Sequence, residues 1–195
     1  MIDDLLALGP ALQAAAALGR APVAVRVVAP SWSQYAARIH SVADVVVVRA
    51  ELVDHVPTAL KVRALRAAGA RPVVVADDPE DVHRARLVRC GAAAVLTRSD
   101  DLDDVVHAIL ADRVGNESPI ESPESGDIHL SDRQLQIACL FAGHGAPSSK
   151  WIAQFLGLPE SSVRTNLQRA RRSLGAADRG ELRSRLIEHG WMSGS

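Results

Sequence analysis

Apolar residues in the first half of the chain come in short continuous runs: VAVRVV (Val23 to Val28), DVVVV (Asp44 to Val48), PVVVA (Pro72 to Ala76) and AAVLT (Ala93 to Thr97). Strands buried on both faces read this way, whereas a strand with one wet face alternates. Between the runs lie spans of helical character, Ser33 to Ile39, Val56 to Ala68 and Pro79 to Cys90, and Asp100 to Ala111 follows the last run. Strand, helix, strand repeated in this order predicts a parallel sheet with crossover helices, an α/β unit. The opening IDDLLALGPALQAAAALG is Ala/Leu-rich and helical, with Pro10 placed to kink or restart it. Ser99 or Asp100 is the expected cap of the last helix, and Asp103 lies near its first turn.

From Leu130 the period changes to that of short helices. Ser131 or Asp132 caps a helix whose apolar residues Leu135, Ala138, Cys139 and Ala142 recur at helical spacing, and GHGAPSS breaks it. A second helix, Lys150 to Leu156, is expected to bury Ile152, Ala153, Phe155 and Leu156. GLPE, with Pro159 near the first helical turn, separates it from a third. In that third helix Val163, Leu167, Ala170 and Leu174 fall at i, i+4, i+7 and i+11, so they make the inward stripe and leave Arg164, Gln168, Arg171 and Arg172 on other faces. Leu182, Leu186 and Ile187 line one side of a fourth helix, where they offer an apolar face for dimerisation. A second dimer interface is expected around Val105 and Ile109.

Composition divides the 195 residues in two. RVGNESPIESPESGDI (Arg113 to Ile128) has two Pro, two Gly and four acidic side chains and almost nothing to bury, as an extended acidic linker should. The domains expected are therefore 1–112 and 129–195, joined by 113–128. The formal net charge of −1 hides an asymmetry: 12 Lys and Arg stand against 14 Asp and Glu before the linker, and 9 against 5 after it. A basic module tethered to an acidic one suits a polyanion partner for the first. Cys90 and Cys139 have no CxxC or Cys/His context and read as two buried, reduced thiols, not a metal site. No basic segment followed by an apolar run opens the chain, and no apolar run has the length of a membrane span, so the expectation is a soluble, cytoplasmic protein with no membrane contact.

Arg164, Arg169, Arg171 and Arg172 lie within nine residues of the third helix, behind a small helix-and-turn unit. That is what a protein needs to neutralise phosphates while laying a helix in a DNA groove. Ser161, Ser162 and Thr165 near the helix start are short enough to let its backbone approach. The plain alternative is a solvated surface helix. Enzyme chemistry has less to stand on. The pairs Asp77-Asp78, Asp100-Asp101 and Asp103-Asp104 join adjacent residues that do not share a face, and acids at a helix start serve caps and the helix dipole. His83 and His107 have no partner at metal-ligand spacing, and no Gly-rich phosphate loop stands out, so neither cofactor nor metal is expected.

At GAAAVLTRSDDLDDVVHAIL (Gly91 to Leu110) and ADVVVVRAEL (Ala43 to Leu52) the chain resembles the receiver domain of bacterial response regulators, a flavodoxin-like fold. The resemblance covers most of 1–112. It puts Arg49 where the family has its phosphoacceptor Asp, Asp77 where it has a switch Thr or Ser, and Arg98 where it has Lys. No run reads as the first strand, after which the family's metal-binding acidic pair stands. The resemblance therefore implies a degenerate phosphorylation site. An Arg at the centre opposes a Mg²⁺ by charge and supplies no carboxylate nucleophile. Arg49 is expected to pair with Asp77 or Asp78, or else with Glu51 at the solvent edge.

Over roughly Leu130 to Leu186 the segments LSDRQLQIACL, KWIAQFLGL, SSVRTNL and DRGEL resemble the LuxR/NarL-type, GerE-like DNA-binding domain in order and spacing. The likeness makes the third helix the recognition helix of a helix-turn-helix. It aligns Ser162, Val163, Arg164, Thr165 and Asn166 with the family's base-proximal segment and Lys150 with a Lys that sits near phosphate. Gln134 and Gln136 stand where acids are usual, Trp151 where Glu is usual, and the turn is one residue longer. SSVRTNLQRARRSLG also resembles region 4 of sigma factors. The reading is an atypical, orphan, phosphorylation-independent transcription regulator that binds double-stranded DNA as a homodimer through Lys150, Ser161 to Asn166, Gln168, Arg169, Arg171 and Arg172. The alternatives are an adaptor whose helix-turn-helix docks on protein such as RNA polymerase or another regulatory protein, and a small enzyme using strand-end carboxylates.

Overall fold

Three of the four Val-rich runs form a parallel sheet, β1 (Val45–Arg49), β2 (Arg71–Ala76) and β3 (Ala94–Thr97), in the order β1-β2-β3. The structure, a computed structural model, describes residues 8–18, 23–38, 43–52, 56–77, 79–97, 99–111, 128–143 and 145–194. Val47 sits opposite Val73, and Val73 opposite Ala94. Helices α1 (Leu8–Ala17), α2 (Trp32–Arg38), α3 (Thr58–Ala67), α4 (Asp81–Arg89) and α5 (Leu102–Leu110) accompany the strands. Pro10 lies in the first turn of α1, where a missing N–H costs no hydrogen bond.

Side chains of a strand alternate between faces, yet Val46, Val47 and Val48 are all buried, so both faces of β1 are covered. Val46 and Val48 pack with Tyr35 of α2 and Leu65 of α3. A second cluster joins Leu12 and Ala15 of α1 to Val105 and Val106 of α5, with Leu96 of β3 against it. That packing corrects one expectation: Val105 is buried against α1 and Ile109 packs beside it, so this stripe is core and not a dimer face.

The run Val23 to Val28, which its pattern predicts as a strand, has no regular secondary structure, and Ala29 alone forms a bridge. In a flavodoxin-like sheet the second strand pairs with the first. Among the described residues the sheet consists of β1, β2 and β3, and this segment is not one of its strands. Its alternation survives as packing, Val23 and Val25 against the α1–α5 cluster and Val27 against the cluster around Tyr35.

The cap of α5 also differs from expectation. Asp101 caps it in a reciprocal box with Asp104, at 2.9 and 3.0 Å. Asp100 is used one step earlier, where its carboxylate accepts from the Thr97 hydroxyl at 3.1 Å and closes the turn after β3. The other end of α5 is held by Arg71, whose guanidinium donates to the carbonyls of Ala108 (3.0 Å), Ile109 (2.6 Å) and Ala111. A cation on these unpaired carbonyls satisfies them and complements the helix dipole.

After residue 128 come α6 (Asp132–Ala142), α7 (Ser149–Leu156), α8 (Glu160–Leu174) and α9 (Arg179–Glu188), packed around buried Leu135, Ile137, Ile152, Val163, Leu167, Leu174, Leu182 and Leu186. The chain forms two compact units, Met1–Pro79 with Leu87–Ile120 and Glu80–Arg86 with Glu121–Ser195. Of the expected linker only Ile128 lies within the described residues. Leu182 and Leu186 are buried in the core of their own unit, so the dimer face expected there is not available. Cys139 is buried as expected, but Cys90 is only half-buried, and both are free thiols. Among the described residues no helix is long and apolar enough to cross a membrane.

Candidate nucleic-acid interface

Each helix of the second unit is set by short-range chemistry at its ends. Ser131 caps α6, its hydroxyl accepting from Gln134 N–H while the Gln134 side chain accepts from Ser131 N–H at 3.0 Å. An amide thus serves the reciprocal cap where an acid is usual. Ser148 caps α7 by accepting from Trp151 N–H at 3.1 Å, and Gly157, in the left-handed region at φ 64°, ends it. Asp178 caps α9, and Glu181 reaches back to the N–H of Ala177 at 2.6 Å, which accounts for the acids of DRGEL.

Helix α8 is divided lengthwise. Val163, Leu167, Ala170 and Leu174 are buried, and Ser161, Thr165, Gln168 and Arg172, two residues out of phase with them, are exposed. Arg164, Gln168, Arg171 and Arg172 line one open groove of about 420 Å³ with Leu167 and Ala176. Three guanidinium groups around one concavity give it a positive field of the kind that suits an anion. Arg169 is exposed but lies outside that groove, and Ser162 is half-buried.

Four candidate residues have contacts within their own unit. Val163 is buried, so it anchors α8 and makes no direct contact with a partner in the groove. The Asn166 amide donates to the carbonyl of Ser162 at 2.9 Å, along its own helix. Arg164 pairs with Glu160 at 2.6 Å, but the two side chains are 71% and 38% exposed, a screened pair that a phosphate or base can displace cheaply. Arg171 also donates to the carbonyl of Ala176 at 3.4 Å, the residue that follows the α8 C-cap.

Lys150 is exposed in the first turn of α7, beside backbone N–H groups that suit a phosphate. Phe155, expected in the core, is 47% exposed and stacks on Trp151, itself 41% exposed, with ring centroids 5.0 Å apart. An eight-residue helix has room for one inward line, and Ile152 and Ala153 fill it.

Sequence reasoning missed the role of the basic residues on α9. Arg179 donates to the carbonyls of Ala146 (3.0 Å) and Pro147 (2.9 Å) in the α6–α7 turn, and its guanidinium stacks 3.8 Å above the Phe141 ring. Arg183 donates to the carbonyl of Ala142, the last residue of α6, at 3.3 Å. Arg at a helix start reads from sequence as surface charge, because the carbonyls it meets lie 32 and 33 residues away.

In the first unit, Arg49 ends β1 opposite Val75, and Asp77 stands two residues further along the β2 side. The Arg49 side chain, 16% exposed, meets Asp77 at 3.2 Å and Glu51 at 3.6 Å through its guanidinium, so both expected partners are engaged at once. Glu51 also accepts from Asp77 N–H at 2.8 Å. Arg98 and Asp78 lie outside the described residues. Among the described residues no three His, Cys, Asp or Glu side chains gather as metal ligands.

The fold is that of solved response regulators. The chain is similar to the RcsB response regulator of Salmonella typhimurium, in a structure on conformational dynamism for DNA interaction, at 17% identity over 96% of this chain and 95% of that one, with a TM-score of 0.61. RcsB from Salmonella enterica serovar Typhimurium, bound to a promoter in the presence of the phosphomimetic BeF3⁻, aligns over 96% of both chains at 15% identity and TM-score 0.61. A structure of two RcsB dimers on two parallel DNAs aligns over 95% of both at 16% identity and TM-score 0.55. No protein-family model and no curated protein matches the chain.

Proposed function

We propose that this chain is a sequence-specific, DNA-binding transcription regulator of the LuxR/NarL response-regulator type, not an enzyme, acting in the cytoplasm without phosphoryl transfer. Its parts are a degenerate receiver at 1–112, an acidic linker at 113–128 and a helix-turn-helix at 129–195. The observation that carries the reading is the lengthwise division of α8: one stripe is buried in its own unit, and Arg164, Gln168, Arg171 and Arg172 share one open groove along the flank of that stripe. A helix so divided enters a major groove with its arginines toward phosphates and guanine edges. RcsB, whose fold this chain shares, is bound to a promoter in one solved structure and, as two dimers, to DNA in another, which agrees with the reading. A single small recognition helix makes few contacts, so the working form is a homodimer.

Fluorescence anisotropy on duplex DNA at several salt concentrations tests the reading. Arg164→Ala should cost about 1–3 kcal/mol of specific binding and leave the fold intact. Lys150→Ala should weaken binding on every sequence and lower the salt slope by about 0.9. If both variants bind like the parent, the helix does not face DNA. A second reading, an adaptor docking on the transcription machinery, is favoured by the stacked pair Trp151 and Phe155, an exposed apolar surface with no use toward phosphates.

A further inference from the structure

We propose that Arg179, on the helix after the recognition helix, is a positioning residue for the phosphate contact made by Lys150, an inference that rests on the DNA-binding reading. Its guanidinium takes two successive carbonyls, Ala146 at 3.0 Å and Pro147 at 2.9 Å, and lies flat on Phe141 of α6 at 3.8 Å. The segment that it holds carries backbone strain at Ala146, whose φ of 41° lies in a region that residues with a Cβ rarely enter. Such a conformation persists only where its surroundings over-determine it. A planar fork reaching two neighbouring carbonyls does this, and an ammonium, with one compact charge, does not.

The shape of this turn matters because it leads directly into α7. Ser148, next along the chain, caps α7 through Trp151 N–H, and Lys150 stands in that first turn. Arg179 therefore fixes where α7 begins, and with it where Lys150 and the first N–H groups of α7 point. Arg183, bonded to the carbonyl of Ala142, holds the other end of the same turn. Arg179 and Arg183 of α9 thus act on backbone carbonyls of the α6–α7 turn, while Arg164, Arg171 and Arg172 of α8 line the groove.

The test uses the full chain and a mixed-sequence DNA duplex, with binding read by anisotropy across salt concentrations. Arg179→Gln should lower the salt slope by about 0.9, the value of one phosphate contact, and weaken binding about tenfold near 0.1 M salt. Lys150→Ala should do the same, and the double variant should match either single one. Arg179→Lys keeps the charge and loses the fork, so it should behave as Arg179→Gln does; it also serves if the Gln variant fails to fold. Far-UV circular dichroism checks that the variants stay helical. The proposal is overturned if the Arg179 variants keep the parent slope, which makes the brace purely structural. It is overturned equally if Lys restores binding, or if the double variant loses two contacts, which makes Arg179 a DNA contact itself. Absence of salt-dependent binding by the parent, with Lys150→Ala equally inert, would instead sink the DNA reading and take this role with it.

Discussion

Arg49 shows how one side chain changes what a site can do. A guanidinium between the carboxylates of Asp77 and Glu51 supplies fixed positive charge where the receiver resemblance calls for a phosphoryl acceptor and a metal. Its partners are legible in part: the sequence offers strand-end acids as candidates, but only the register of β1 on β2 brings Asp77 and Glu51 to it together. Phe155 is illegible for the opposite reason, since an apolar residue on a short amphipathic helix is assigned inward until the neighbours that fill the core are known. Cys139 carries a pH prediction. Burial pushes its thiol up from the ordinary 9.0 to about 12. A proton held more tightly in the folded state stabilises it below the unfolded pKa, and that contribution is lost as pH rises from about 9 toward about 12. The second unit should therefore lose stability over that window in thermal melts, and Cys139→Ala should flatten the fall. Below it, a thiol reagent should modify the half-buried Cys90 first; equal rates at both cysteines would contradict the burial of Cys139.

Elements whose signals are local can be read from the chain itself. The inward stripe of α8 needs only a period of 3.6, and the cap at Ser131 needs only four residues, so both are plain in the sequence. Residues 23–28 mislead because a strand is completed by a neighbour, which the run itself does not specify. The same limit hides Arg71, which ends no local pattern but closes the carbonyl end of α5 from the start of β2. Arg71→Ala should destabilise the protein by about 1–3 kcal/mol, the range for hydrogen bonds from a charged donor and for buried acceptors left unmet. Urea unfolding with an unchanged m-value is the check, and a change under about 0.5 kcal/mol would mean that water replaces the guanidinium there.

At the scale of the whole molecule, the fold and the basic helix are separable inferences. Likeness to solved response regulators at 15–17% identity establishes the architecture, while the claim on DNA rests on the side chains of α8. Phosphorylation independence rests on Arg49. Acetyl phosphate should leave the mass of the protein unchanged, and beryllofluoride with Mg²⁺ should leave its DNA affinity unchanged; a specific adduct would refute this. The central claim is that α8 reads double-stranded DNA. Its most direct test is selection of bound duplexes from a random-sequence library by the 195-residue chain, with Arg164→Ala carried in parallel. An enriched motif is expected, containing a guanine position that the Arg164 variant no longer specifies. A library recovered without enrichment, from a parent protein that remains folded, would contradict it.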